Sequence, residues 1–438
     1  MPVLDSFNRR IEPPARPETR ELAVLRLSDR FGSYPSFGLT PTRLAAIFRE
    51  ADQGDVQRQA ELFEEMEEKD AHLSGELLKR KNAVGGLDYD ILPYDAPPES
   101  PGPRRRGTSD RVSNFCREVL RGLGDFDEAR FDLLDAIGQG FAACEIVWEI
   151  EAGRAVPARL VRIPPRRLTF VDSPVPRLLS GDDRKLVDIP AFKVVYHRHQ
   201  ARSGHDARAG LLRVCAWMYL FKNYAVKDWA AFAEVFGMPL RLGRYEPGAG
   251  ADDKEALAEA IKSLGADAAG IISKNTEIQF IESQKQGSAD VYRGLTDFCN
   301  REMSKAVIGA TLTAEVGEHG SYAASKTHES VRLDLVRSDA WALSRTLRRQ
   351  LLRPLVGFNF GWDTPVPWFR FFLEQPEDLK TLSEVYRNLA ALGQPISAEH
   401  VSERFGVPLP RPGQTGLAGK PSRSAESQAY PDKGDDLT

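Results

Sequence analysis

The sequence predicts a helix-rich α+β protein, and three observations carry that prediction. Apolar residues recur at helical three- and four-residue steps over long stretches, above all 211–236, 288–309 and 322–353. Between 144 and 150 the period changes to two, with Cys144, Ile146, Trp148 and Ile150 alternating with Glu145, Val147 and Glu149. Segments poor in apolar pattern interrupt or bracket these stretches: Pro- and Arg-rich at 1–37 and 95–107, and mostly Gly, Pro, Ser, Lys and Asp at 411–438. With 438 residues, 42% of them hydrophobic, the chain is long enough for two or three domains with real cores.

Taken in order, residues 1–37 are expected to form an extended arm of the kind that orders against a partner. Thr40 and Pro41 then offer an N-cap and a proline at the first helical position, Leu44, Ile47, Phe48 and Ala51 make the stripe, and Gly54 ends it. Asp55 and Asp70 cap two further helices, and the run Glu64, Glu65, Glu67, Glu68 on the first of these reads as a solvated face. Four prolines and the triplet Arg104, Arg105, Arg106 mark 95–107 as a loop. Val112, Phe115, Cys116, Val119, Leu120 and Leu123 make the next amphipathic helix, and Phe131, Leu134 and Ile137 suggest another. Strands at 158–163, 167–171 and 192–197 follow the alternating one, so 38–205 is expected to be one α+β domain.

Within 206–236 an aromatic helix from about 211 to 236 carries Trp217, Phe221, Tyr224, Trp229, Phe232 and Phe236; at ~1.5 Å per residue it extends roughly 39 Å. The regular alternation of its faces reads as packing rather than base stacking. Gly237, Met238 and Pro239 stop it. A compact αβ insertion at 237–287 has strands at 240–245, 270–272 and 277–281 and a helix at 253–264. A second helix at 288–310 sets Val291, Leu295, Phe298 and Val307 along one side, and 311–325, with Gly317 and Gly320, is expected to be a loop. Residues 326–375 hold the longest helix, starting near Tyr322. Its stripe of Val336, Ala340, Leu343, Leu347 and Leu351 is expected to end at Pro354, with a return strand at 368–372. The excess of Arg along this helix reads as a solvated face with charge pairs. Residues 376–410 give two short helices, with Gly393 ending the first and Ser397 capping the second, and 411–438 a disordered tail.

Composition excludes several classes. A net charge of -4 does not suit a protein that coats nucleic acid by counterion release, so any DNA contact is local. Cys116, Cys144, Cys215 and Cys299 lie far apart, without a C-x-x-C pair, and read as small buried apolar residues. The first residues lack the apolar stretch of a signal peptide, and no run is long enough to span a bilayer. His197 and His199, alternate on a strand, with His205 beyond, form the best metal candidate. The acidic residue that a metallohydrolase signature places between the second and third His is missing at 200–204, however. The tail segment 413–420 hints at a phosphate loop, but has Gln414 where the first Gly belongs and Pro421 after Lys420. No nucleophile elbow or dinucleotide fingerprint is present, so no enzyme, cofactor or metal is expected.

Four segments in order, Tyr219-Leu-Phe-Lys-Asn-Tyr-Ala-Val-Lys-Asp-Trp229, Phe236-Gly-Met-Pro-Leu-Arg241, Asn300-Arg-Glu-Met-Ser-Lys-Ala-Val-Ile-Gly309 and Thr311-Leu-Thr-Ala-Glu315, resemble the Mu-like phage portal proteins. The resemblance runs from Leu39-Thr40-Pro41 to Phe405-Gly-Val-Pro408. It implies a ring of about twelve subunits at one capsid vertex. Through it, double-stranded DNA is pumped without sequence preference and later ejected, with the terminase large subunit, capsid and scaffold proteins and neck or tail adaptors as partners and no membrane. The location implied is the virion, and the bacterial host cytoplasm during assembly. On this resemblance 38–205 is the wing, 206–236 and 288–310 are the stem helices, 237–287 the clip, 311–325 the tunnel loop and 376–410 the crown. His319, Lys326 and His328 would then approach phosphate, and the six aromatics of the first stem helix would pack the stem. Competing readings are another structural phage head or adaptor protein and a metal-dependent hydrolase using His197, His199 and His205.

Overall fold

The computed structural model describes residues 2–22, 35–95, 107–180, 185–199, 201–236, 241–263, 269–273, 288–310, 322–373 and 379–407. It is helix-rich α+β, as the periodicities predict, and divides into two units, Met1–Leu373 and Glu374–Thr438.

The first unit opens with three helices, α1 (Pro41–Asp52), α2 (Gln57–Lys69) and α3 (Ala71–Gly85). Thr40 Oγ1 accepts from the Arg43 N–H at 3.2 Å, and Leu44, Ile47, Phe48 and Ala51 are buried, so local chemistry starts α1 and burial keeps it. Asp70 accepts from the N–H groups of His72 and Leu73 and caps α3 as expected. Asp55 does less, since Val56 holds the cap position of α2 and Asp55 accepts only from Gln57 N–H at 3.2 Å.

After β1 (Tyr89–Leu92) come α4 (Thr108–Gly122), α5 (Phe126–Leu133) and α6 (Ala136–Gln139), then β2 (Phe141–Glu151) and β3 (Arg154–Ile163). The strands β4 (Leu168–Thr169), β5 (Arg177–Ser180) and β6 (Lys185–Val187) form a small antiparallel sheet, and β7 (Val194–Arg198) returns beside β2. The central sheet has the order β3-β2-β7, antiparallel throughout. The period-two alternation on β2 sorts side chains between two cores rather than between core and water. Cys144, Ile146 and Trp148 enter the larger core with α4 and α5, whereas Phe141 and Ala143 enter a smaller one with Ile163, Leu178 and Tyr196. Glu145, on the second side, is therefore buried, and pairs with Lys193 Nζ at 3.2 Å.

The rest of this unit comprises α7 (Leu212–Phe236), β8 (Arg241–Tyr245), α8 (Ala251–Ser263), β9 (Ala269–Ser273), α9 (Ser288–Ile308), α10 (Tyr322–Leu347), α11 (Arg353–Phe360) and β10 (Trp368–Phe371). Helix α7 packs along α9, and β8 and β9 pair in parallel around α8, a βαβ unit between the two long helices. The strand expected at 277–281 lies outside the described residues. Where α7 begins, backbones cross closely: Gly140 has φ +97°, and a Cβ there would meet the Asp206 carbonyl oxygen at 2.3 Å.

Four expectations are corrected. The N-terminal arm is extended, but it lies on the chain's own smaller core, with Phe7 buried against Tyr196 and Ser6 Oγ donating to the Val194 carbonyl at 2.5 Å. The Glu64–Glu68 run is not simply solvated. Glu65 is fully buried, accepting from the Ser36 N–H at 2.7 Å and pairing with Lys69, because α2 is covered on that side by the segment before α1. Where the expected loop end at Ser325 and helix start near Tyr322 overlap, the helix start holds and the loop end does not: α10 begins at Tyr322, where Ala323 and Ala324 favour helix. Nor does Pro354 break the helix. Residues Arg348–Leu352 form one π-helical turn, the Arg353 N–H reaches back to the Arg348 carbonyl, and α11 resumes with Pro354 in its first turn, where no N–H is needed.

The second unit has α12 (Leu379–Ala391) and α13 (Ala398–Phe405). Ser397 Oγ accepts from the His400 N–H at 3.1 Å, and the Tyr386 ring lies 5.7 Å from Phe405, closing the helical hairpin upon itself.

Candidate interaction surfaces

The long helices present two kinds of face. On α7, Leu212, Cys215, Ala216, Tyr219 and Leu220 enter the larger core; on α9, Cys299, Met303 and Val307 do so. The near ends are also tied by polar contacts, Lys222 to Asp70 at 2.7 Å and His72 Nε2 to Ser304 Oγ at 2.8 Å. Beyond that the aromatic stripe divides. Trp217 packs against the core, 6.4 Å from Phe48, and Phe232 meets Tyr292 of α9 at 6.1 Å between ring centroids. Trp229 is half-buried. Phe221 and Tyr224 are each 40% exposed, although the Tyr224 hydroxyl donates to the Leu39 carbonyl at 2.7 Å. Phe236 ends α7, and its side chain lies outside what is described. The stripe expected on α9 divides likewise: Val307 is buried, whereas Val291, Leu295 and Phe298 face outward, Val291 by 69%.

Of the residues expected near DNA, His319 lies outside the described residues, and Lys326 and His328 fall in the first turns of α10. Past the end of α10, in the π turn and at the start of α11, the arginines are not merely solvated. Arg348 donates to the carbonyls of Pro367 and Val366, both at 3.0 Å, and lies 3.6 Å over the Trp368 ring. Arg353 donates to the Thr364 carbonyl at 2.8 Å. Trp341 stands apart from the buried stripe and is 68% exposed. No apolar period singles it out in the sequence, yet its position off the Val336–Ala340–Leu343–Leu347 stripe, with Arg337 and Arg345 one turn to either side, marks an outward face.

The three histidines do not converge. His197 is buried with Nδ1 2.9 Å from Thr346 Oγ1, and burial, with His199 adding to it, pushes its pKa down to about 3. His199 lies 3.7 Å from Asp339 and its pKa is also lowered by burial, and His205 Nδ1 accepts from the Ala207 N–H at 3.2 Å. Among the described residues no group of His, Cys, Asp or Glu is arranged to hold a metal ion. All four cysteines are buried, and burial pushes the Cys116 and Cys215 thiols up to about 12, which suppresses thiolate chemistry. Among the described residues no helix is long and apolar enough to cross a membrane.

The first unit joins closed cores to a helix pair that keeps apolar side chains partly exposed, the pattern of an interaction surface. A family model described as the portal protein of Mu bacteriophage matches residues 60–407, and the chain belongs to that family. It is 33% identical over 398 residues to the Mu-like prophage FluMu protein gp29 of Haemophilus influenzae, covering 89% of this chain and 74% of that protein. It is 30% identical over 397 residues to the portal protein of Escherichia phage Mu, covering 90% and 76%. Among solved structures, the neck of a native GTA particle computed with C12 symmetry aligns at a TM-score of 0.49 with 13% identity, over 84% of this chain and 94% of that one. An HK97 family phage portal protein from Corynebacterium diphtheriae aligns at 0.36 with 16% identity, over 72% and 98%.

Proposed function

We propose that this chain is a phage portal protein: one subunit of a ring at a capsid vertex, the channel through which DNA is packaged and ejected and the site where terminase and then neck proteins dock. The observation that carries this reading, within the family, is the pair α7 and α9, whose outward stripes stay apolar and exposed in the single chain. In a ring these stripes meet the helices of neighbouring copies. Residues 206–236 and 288–310 then serve as the stem, 237–287 as the clip, 38–205 as the wing and 376–410 as the crown. Residues 311–325 lie nearest the DNA, although α10 already claims the last four of them. The role is mechanical rather than catalytic.

A net charge of -4 suits a conduit, because a lining rich in Arg would hold each phosphate and oppose sliding. His319, Lys326 and His328 are assigned weak phosphate contacts without sequence preference. Replacing all three with Gln is expected to impair packaging while leaving ring assembly intact; normal packaging would remove them from the channel.

The reading as a whole is tested by native mass spectrometry with negative-stain imaging. Twelve copies of the 48.7 kDa chain give about 584 kDa. A particle near that mass with a central hole is the expected result, and a chain that stays monomeric at micromolar concentration would overturn the assignment.

A further inference from the structure

Two surfaces of the first unit are complementary in charge, and among the described residues neither is used within the chain. The first is the outer face of α10, where Arg337, Trp341 and Arg345 stand one turn apart. Trp341 is 68% exposed, and among the described residues Arg337 forms an ion pair only with Asp334 on its own helix, at 3.1 Å, and Arg345 forms none. The second is a cleft of about 430 Å³ between the end of α4 and the tip of the β2–β3 hairpin. Its charged lining is three carboxylates, Glu118, Glu149 and Glu151, against the single guanidinium of Arg154, which lies 5.6 Å over the Phe115 ring. Among the described residues none of the three carboxylates has an ion-pair partner. Phe115 and Val156 supply its apolar walls.

We infer that these surfaces are the two sides of one contact between copies of this chain, with Trp341 of one copy seated in the Glu118–Glu149–Glu151 cleft of the next and Arg337 and Arg345 facing its carboxylates. The inference rests on the ring proposed above and names residues that would close it. A ring needs a heterologous contact, in which two different patches meet. The sheet order β3-β2-β7 supplies them: α10 packs on β7 at one edge, whereas the cleft lies at the tip of the hairpin that ends in the opposite edge strand. An exposed Trp flanked by Arg is also the composition that dominates binding energy at protein interfaces, and a cleft with unpaired carboxylates and an aromatic wall is its counterpart. A nucleic acid would suit the α10 face but not the cleft, and the pairing accounts for both.

The test uses the full chain and two charge reversals, Arg337→Glu with Arg345→Glu, and Glu118→Lys with Glu149→Lys and Glu151→Lys. Assembly is read by native mass spectrometry. Each variant alone is expected to lose the ring, since like charges then face each other at every contact. An equimolar mixture is expected to regain it, with the two kinds of subunit alternating. Trp341→Ala, a truncation at a solvent-facing site, raises the concentration needed for half-assembly by at least about tenfold and carries the test if a reversal misfolds. Wild-type assembly with unchanged assembly of the variants, or a mixture that stays dissociated, overturns this contact and leaves the ring reading standing. A wild-type chain that itself stays monomeric overturns both.

Discussion

The junction of α3 with α10 and the outer reach of α7 with α9 are both helix packings, yet they are finished to different degrees. At the junction, Arg80 donates from Nε to Asp339 Oδ2 at 2.7 Å, from Nη2 to Oδ1 at 3.1 Å, and from Nη1 to the Val307 carbonyl at 2.6 Å, with both charges buried. Three helices are thereby tied by one guanidinium, and no donor of that fork used here is left without an acceptor. Along α7 and α9 the polar ties to the body stop near Tyr224 and Ser304, and Phe221, Leu295 and Phe298 stay 40–49% exposed. The first region holds its shape within one chain; the second leaves its outer apolar side chains exposed, the surface that the proposed ring would cover.

The largest effect expected from breaking this contrast is at the junction. Asp339→Ala strands the Arg80 charge in a buried site and is expected to cost about 3–5 kcal/mol, measured by denaturant unfolding of the dissociated subunit. A loss below about 1 kcal/mol would mean that water reaches Arg80 and that the two regions differ less than their burial indicates. Gly140→Ala comes next. Its positive φ and the 2.3 Å approach of a new Cβ to the Asp206 carbonyl force the start of α7 to move, at a cost of about 2–4 kcal/mol.

Smaller effects follow from buried titratable groups in the body, with opposite signs. The native His197 refuses a proton until about pH 3, whereas the unfolded chain takes one up near 6.5, so stability is lost as pH falls through that window. At pH 5 the loss is about 2 kcal/mol, and His197→Gln is expected to remove it. Glu67 behaves oppositely. Burial first, then the nearby Asp135 carboxylate, push its pKa from 4.5 up to about 7, so the native state holds a proton that the unfolded state has released, and stability falls as pH rises from 4.5 to 7. Glu67→Gln is expected to raise stability at pH 8 by about 1–2 kcal/mol and to change little at pH 4. Because the two windows overlap between pH 4.5 and 6.5, the contributions of these two groups cancel there, and each variant alone exposes the slope that the other group leaves.

The smallest effect on the subunit sharpens the comparison most. Phe221→Ser with Phe298→Ser is expected to shift subunit stability by no more than about 0.5 kcal/mol, as for other surface changes, yet to lower ring yield in native mass spectra. A subunit destabilised by more than about 2 kcal/mol would show that these rings pack within the chain, and the contrast would fall.

Much of the helical framework was legible because its signals are local. Thr40, Asp70 and Ser397 each accept the backbone N–H that their position predicts, and the stripe of α1 is buried residue for residue. Distant partners were not legible. Strand β1 gives a weak signal over four residues, and it exists because Tyr89 to Leu92 pair with Phe371 to Trp368 and Tyr89 stacks on Phe369 at 5.0 Å. Glu65 reads as solvent-facing until Ser36 is laid over it. His197 and His199 alternate as metal ligands on a strand do, but their partners Thr346 and Asp339 come from α10, about 140 residues later in the sequence.

The order of elements, the helix starts and the family can be read along the linear chain, since capping chemistry, apolar period and motif order are properties of neighbouring residues. Which apolar stripes are satisfied within the subunit and which stay exposed, and which charges are buried, depended on how distant segments pack. A stripe looks the same in sequence whether its partner is the next helix or another copy, and a carboxylate looks solvated until the chain folds a donor against it. Pro354 shows the same limit at one residue: proline forbids an ordinary helical interior, and it took the π turn before it to let the helix pass through.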